Sequence, residues 1–371
     1  MSDHLTKEDV ARLLADPSPD QRAVLAGKMA LQFDNQELTA AERSLAEDIV
    51  RVMARDAMAR VRQSLAENLK TSPNLPRDVA LTLARDVEAV AVPILSMSKS
   101  LSEADLIELV RAGSPAKQSA IAGRPEVPER LADELVKVGD EGAVAVLVAN
   151  EGAALGEAGL NRVVDRFGAS ERVQGPLVHR SRLPLTVAER LVTMISENLQ
   201  DYLVTHHELP ADTASDLILK SRERATVSLF TGESDEEAVG RLVTQLAEGG
   251  RLTPSLLMRS VCMGDLTFFE VALAHLAAVP VHNARLLIHD GGHRGVKALY
   301  TKAGLPAGLL PAVRIAVDVA RETPFDGEDR DRERHSRRMI ERILTQYEGL
   351  ETADIDYLLN KLSDMARPPQ N

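Results

Sequence analysis

The chain has no tryptophan, only four tyrosines and six phenylalanines, and a single cysteine among its 371 residues. Aromatic side chains are the platforms on which single-stranded bases stack, so their scarcity removes one common grip on nucleic acid. One cysteine, Cys262 in SVCMGDL, excludes an intrachain disulfide, and its apolar neighbours read as those of a buried, inert thiol. Lys and Arg number 44 against 56 Asp and Glu, a formal charge of −12. A protein that meets an extended phosphate backbone usually presents clustered cations instead, so nucleic acid is disfavoured as a partner. No run approaches the roughly 18 apolar residues of a membrane span. The opening MSDHLTKEDV lacks the cationic and apolar layout of a signal peptide. These absences lead to the expectation of a cytoplasmic chain with no membrane segment.

What is present is the pattern of a soluble globular protein, 44% hydrophobic and 27% charged, long enough for one large domain or two ordinary ones. Apolar residues recur at intervals of three and four, and no long stretch alternates with period two, so the chain reads as all-α. Capping signals recur at short intervals: Thr6 with Asp9, Thr39 with Glu42, Ser102 with Asp105, Thr186 with Glu189 and Ser234 with Glu237 have capping-box or similar spacing. Ser18-Pro19 and Thr253-Pro254 place proline at a first helical position. Helices this short are marginal alone and need neighbours to cover their apolar faces.

The helices also repeat. Junctions at Asp56, Asp86, Gly113, Asp140 and Gly168 each open an apolar segment that carries Leu65, Leu95, Ile121, Ala149 or Leu177 eight or nine residues on, and a weaker copy begins at Asp16. A second helix follows, often announced by Leu75-Pro76, Val127-Pro128 or Leu183-Pro184. One unit is therefore two short antiparallel helices, and stacked pairs share the core that a single pair cannot build. Pro93 and Pro176 fall inside first helices and are expected to kink or divide them. The short repeat fades after about residue 205. The expected division is a repeat array over 1–205, a helical domain over 206–366 with helices at Thr253–Met263 and Asp265–Ala278, and a disordered tail over 367–371.

The pattern D-x-x-x-x-V-R-x-x-L-A at Asp56 to Ala66 resembles a compact HEAT-like repeat. The succession of such units, followed by GRLTPSLLMRSVCMGDLTFFEVALAHLAAVP and HDGGHRGVKALYTKAGLP, resembles a family of uncharacterised bacterial proteins classed as a domain of unknown function. The resemblance implies an all-α, HEAT-like helical-repeat solenoid followed by a C-terminal helical domain, and it carries no reaction.

Chemistry-bearing residues are few. In HDGGHRGVK, Asp290 can cap a helix, Gly291 and Gly292 permit a tight turn, and amides near His293, Arg294 and Lys297 could bind an anion or a partner. The stretch is not a P-loop, because no strand precedes it and Val296 separates Gly295 from Lys297. Turn chemistry with Val296, Leu299, Tyr300 and Ala303 on a core face explains it more simply. His282, His289 and His293 could share a face only on a continuous helix, which the glycine pair interrupts, and His206-His207 point apart; no metal is expected. His335, at the start of a charged helix with Met339, Ile340, Ile343, Leu344 and Tyr347 as its apolar stripe, is a candidate phosphoacceptor, yet the acidic residue and proline usual after such a histidine are missing. Glu270 beside Phe268 and Phe269 has no identifiable partner base and reads as part of a core helix capped by Asp265.

The expectation is a non-enzymatic scaffold or regulatory adaptor without a cofactor, binding another protein of basic or mixed surface, with a homodimer left open. The alternatives are a phosphotransfer protein using His335 and a HEAT-like nucleic-acid enzyme. The latter would need its arginines, Arg51, Arg55, Arg60, Arg62, Arg77 and Arg85, to form a basic face, although aspartates and glutamates are interleaved with them.

Overall fold

The structure, a computed structural model, describes residues 18–34, 38–207, 211–229, 235–262, 265–290 and 294–322, with a few residues between 337 and 345. It is all-helical: among the described residues the only strand-like pairing is one isolated bridge between Val127 and Ala153. Contacts divide the chain into two compact units, Met1–Leu183 and Pro184–Asn371.

The first unit holds α1 (Pro19–Phe33), α2 (Ala40–Met53), α3 (Ala59–Leu69), α4 (Arg77–Ala84), α5 (Glu88–Met97) and α6 (Glu103–Ala112). It continues with α7 (Pro115–Ala122), α8 (Glu129–Val138), α9 (Glu141–Ala149), α10 (Glu157–Phe167) and α11 (Glu171–Val178). The helices after the five junctions form one row, with α1 packing on α3, α3 on α5, α5 on α7, α7 on α9 and α9 on α11. A second row runs from α6 to α8 to α10, and the rows meet where α4 packs on α5, α6 on α7 and α8 on α9. Leu65, Leu95, Ile121 and Leu177 are buried between neighbours, as their spacing predicts. Ala149 is exposed, however, and Leu147 and Val148 take its place, because α9 presents its apolar face slightly earlier in the chain. Pro93 and Pro176 each sit at the sixth residue of their helix and remove one backbone donor, but neither divides it.

Local chemistry sets the helix starts. Thr39 with Glu42 and Ser102 with Asp105 form reciprocal capping boxes. Ser18 accepts from the Gln21 N–H ahead of Pro19, and Pro76 and Pro128 are the N-caps of α4 and α8. Thr6 and Asp9 lie outside the described residues.

Successive helices are also joined by donors that cover carbonyls at or just past helix C-termini, where the helix itself supplies no partner. The Arg124 guanidinium donates to the carbonyls of Leu95 (2.6 Å) and Ser98 (2.8 Å), past the end of α5. Further along, the Asn150 amide donates to Ala122 (2.9 Å) and Arg124 (2.7 Å), and Arg180 donates to Val148, Asn150 and Ala153. In the second row Arg166 serves the carbonyls of Val136 and Gly139 in the same way. Between these latches Gly152 lies so close to the preceding loop that a Cβ there would sit 2.0 Å from the Pro125 carbonyl oxygen. The bridge beside it is made by Val127 N–H donating to the Gly152 carbonyl and Ala154 N–H donating to the Val127 carbonyl.

The second unit comprises α12 (Leu185–His207), α13 (Ala211–Leu229), α14 (Glu236–Glu248), α15 (Pro254–Cys262), α16 (Leu266–Leu276), α17 (Val281–Ile288), α18 (Arg294–Lys302) and α19 (Leu310–Glu322). The sequence led to an expected boundary near residue 205, whereas this unit starts at Pro184 with α12, a single helix of 23 residues. Helices α12 and α13 pack together, and α16 is central, in contact with α14, α15, α17 and α18. Seven successive residues of α16, Phe268 to Ala274, are buried, and Asp265 caps it by accepting from the Phe268 N–H. No single described helix is long and apolar enough to cross a membrane.

One capping expectation is corrected here. Thr186 lies inside α12, whose first turn closes on the Pro184 carbonyl, and Glu189 is 1% exposed rather than a capping group. Its carboxylate accepts from Thr193 Oγ1 (2.9 Å), Gln245 Nε2 (2.8 Å) and Arg251 Nη1 (2.7 Å). At the other start, Ser234 lies outside the described residues and Asp235 is the N-cap of α14. A second buried carboxylate, Glu223 of α13, accepts from Thr253 Oγ1, Ser255 Oγ (2.8 Å) and Arg259 Nε (3.3 Å).

Candidate functional site

The residues singled out by sequence fall in the second unit. Helix α17 ends at Ile288 with His289 as its C-cap, Asp290 is exposed, and α18 begins at Arg294. Gly291, Gly292 and His293 lie outside the described residues, as does His335. Arg294 and Lys297 are exposed, on the opposite face from Val296, Leu299 and Tyr300, which are buried in the core. Gly295 is the contact point between α17 and α18: a Cβ there would lie 2.3 Å from the Leu287 carbonyl oxygen. That close approach, rather than phosphate binding, explains this glycine. Gly304, at φ +70°, ends the segment after α18, as its left-handed backbone requires.

Glu270 does have partners, contrary to the sequence reading. Although it is 5% exposed, its Oε1 lies 2.6 Å from His289 Nε2 and its Oε2 accepts from Arg285 Nε at 2.7 Å. Arg285 Nη2 donates onward to Glu236 at the start of α14, 2.9 Å away. The imidazole donates through Nε2, and Nδ1 makes no hydrogen bond among the described residues. The network ties three helices together and orients His289. The pairings span 15, 19 and 49 residues, and no local motif encodes such distances. His282 is exposed, and among the described residues no group of three His, Cys, Asp or Glu could hold a metal.

A second site was missed by sequence reasoning altogether. An open groove of about 670 Å³ crosses the second row of the first unit, between α6, α8 and α10. Ala104 and Ile107 contribute its apolar part; Glu103, Glu108, Asp133 and Glu134 face Arg111, Arg130, Lys137 and Arg162 around it. Much of this charge is internally matched. Arg111 makes a bidentate pair with Glu134 at 2.7 and 3.1 Å, Arg162 lies 3.6 Å from Asp133, and Arg85 lies 3.6 Å from Glu108. The Arg111 guanidinium holds the Glu134 carboxyl below its ordinary pKa, with Lys137 helping from a distance.

The arginines that a basic face would need are spent similarly. Arg51 pairs with Asp78, Arg60 with Asp20, Arg62 with Asp86, Arg77 with Asp105 and Arg85 with Glu108, leaving Arg55 exposed. Arg77 grips Asp105 in a fork, and that bond, with help from Ser102, holds the Asp105 carboxyl well below the usual carboxylate range although burial pushes the other way. Asp86 is lowered first by Arg62. Carboxyls whose pKa is depressed by folding stabilise the fold fully above their unfolded values near 4, and that stability is lost as pH falls through the folded values. Urea midpoints of the first unit should therefore drop from about pH 5 downward, and Asp105→Asn should be less stable at pH 7 with a shallower acid decline. An unchanged midpoint at pH 7 together with an unchanged acid slope would refute this.

A profile of the family described as "uncharacterised protein conserved in bacteria" (DUF2336) matches residues 90–353. No curated protein and no solved structure matches the chain.

Proposed function

From a chain that belongs to this bacterial family, whose description carries no activity, we propose a non-enzymatic scaffold or regulatory adaptor that docks another protein on its first unit, which we read as a HEAT-like array. One observation carries the reading: the groove across α6, α8 and α10 is open, long enough to span three helices, and lined by both charged and apolar side chains. Paired helices stacked in rows produce such a surface without a catalytic centre. The pairing of Arg51, Arg60, Arg62, Arg77 and Arg85 with carboxylates favours a protein over nucleic acid, because each cation would have to abandon an acid before meeting a phosphate.

The test is a photocrosslinking residue placed at Ile107, on the groove, in cells of the native bacterium. A reporter at Val52, 72% exposed on α2, serves as the control. A discrete protein adduct at position 107 and none at 52 is expected. Adducts that are absent, or the same at both positions, would defeat the docking role.

A further inference from the structure

Resting on that docking reading, we propose that the groove takes an acidic segment of its partner, in spite of the chain's own net charge of −12. Whole-molecule charge governs long-range steering, whereas a docked segment meets the charges that the groove has not already spent. Three of its four acids are answered internally: Glu134 by Arg111, Asp133 by Arg162 and Glu108 by Arg85. Two cations are left over. Arg130 is exposed and makes no hydrogen bond or ion pair among the described residues. Lys137, also exposed, influences Glu134 electrostatically but makes no direct pair.

Both belong to α8, two turns apart, so their stems rise about 10 Å from one another along the helix axis. Carboxylates seven residues apart on a partner helix match that separation. The remaining acid, Glu103, has its Oε1 shut off from solvent without a hydrogen-bond partner. A buried oxygen in that condition is costly, and because it is out of reach of solvent it does not compete with the occupant for Arg130 or Lys137. The occupant is therefore a helical peptide segment with two acids seven residues apart.

The Ile107 crosslinker tests this when the captured segment is sequenced and the capture is repeated in Arg130→Glu plus Lys137→Glu. A segment with the acidic spacing is expected, with adduct yield falling about tenfold or more on charge reversal, since two attractive pairs become repulsive. The neutral double variant, Arg130→Gln plus Lys137→Gln, should lose less, and the circular dichroism melts of both should match the parent. A basic segment, or capture indifferent to charge reversal, would overturn the acidic-partner inference while leaving the docking surface in place. No capture at position 107 would end both.

Discussion

Glu223→Ala should cost the second unit about 3–5 kcal/mol, measured as the loss in denaturant unfolding free energy. The side chains of Glu223 and Arg259 are 6% and 5% exposed, so removing the carboxylate takes away the buried anion that faces the Arg259 guanidinium in a low-dielectric interior. It also leaves the Thr253 and Ser255 hydroxyls, which both donate to Glu223 at the start of α15, in need of new acceptors. Breaking a buried pair from one side is far more damaging than omitting it, because the attraction that offset two desolvation penalties disappears while one penalty remains. Glu223→Gln, which retains an acceptor oxygen, should fall between the parent and the alanine variant. A loss for Glu223→Ala below about 1 kcal/mol would mean that the pair is wet enough to behave like a surface ion pair.

The second large effect is expected at Gly295. Its Cα faces the backbone of Leu287, and an added methyl would stand 2.3 Å from that carbonyl oxygen and 2.9 Å from the Cα. Neither atom can swing aside as a side chain would, so α17 and α18 must separate. Overpacking typically costs about 1–3 kcal/mol, and a clash with backbone belongs at the upper end. The separation would also disturb Arg285 and His289, which approach Glu270 from α17 and its C-cap. Gly295→Ala should therefore lower the thermal midpoint and speed amide exchange in α17 and α18. Gly308→Ala, with nothing within 4 Å of the added methyl, provides the control. An unshifted midpoint in Gly295→Ala would show that these helices part without penalty.

What could be read from the chain beforehand was whatever is encoded locally. Capping boxes act over three residues, so Ser102 with Asp105 is visible in sequence and present in space. Proline before a helix works through its own fixed backbone angle, and Pro76 and Pro128 begin helices as expected. Leu65, Leu95, Ile121 and Leu177 are buried at the expected spacing because each faces a neighbouring helix of its row, although at α9 the register moved from Ala149 to Leu147 and Val148. Thr186 with Glu189 has the same local pattern but a different outcome, because Arg251 and Gln245, more than 50 residues away, claim the carboxylate. The Glu270 network and the groove are of this second kind. Their members come from separate helices, and nothing in the spacing of Arg130, Lys137 and Glu103 reveals that one surface gathers them. The HDGGH stretch stood out for its density of polar residues, yet the partner of its first histidine sits 19 positions upstream.

The carbonyl latches all point the same way along the chain. Arg124, Asn150, Arg166 and Arg180 each donate to oxygens that precede them in sequence. During synthesis the acceptors of each latch therefore leave the ribosome before the donor that closes them. Closing each of these latches therefore waits on the chain that follows its acceptors, and the last of them, Arg180, lies three residues before Leu183, where the first unit ends.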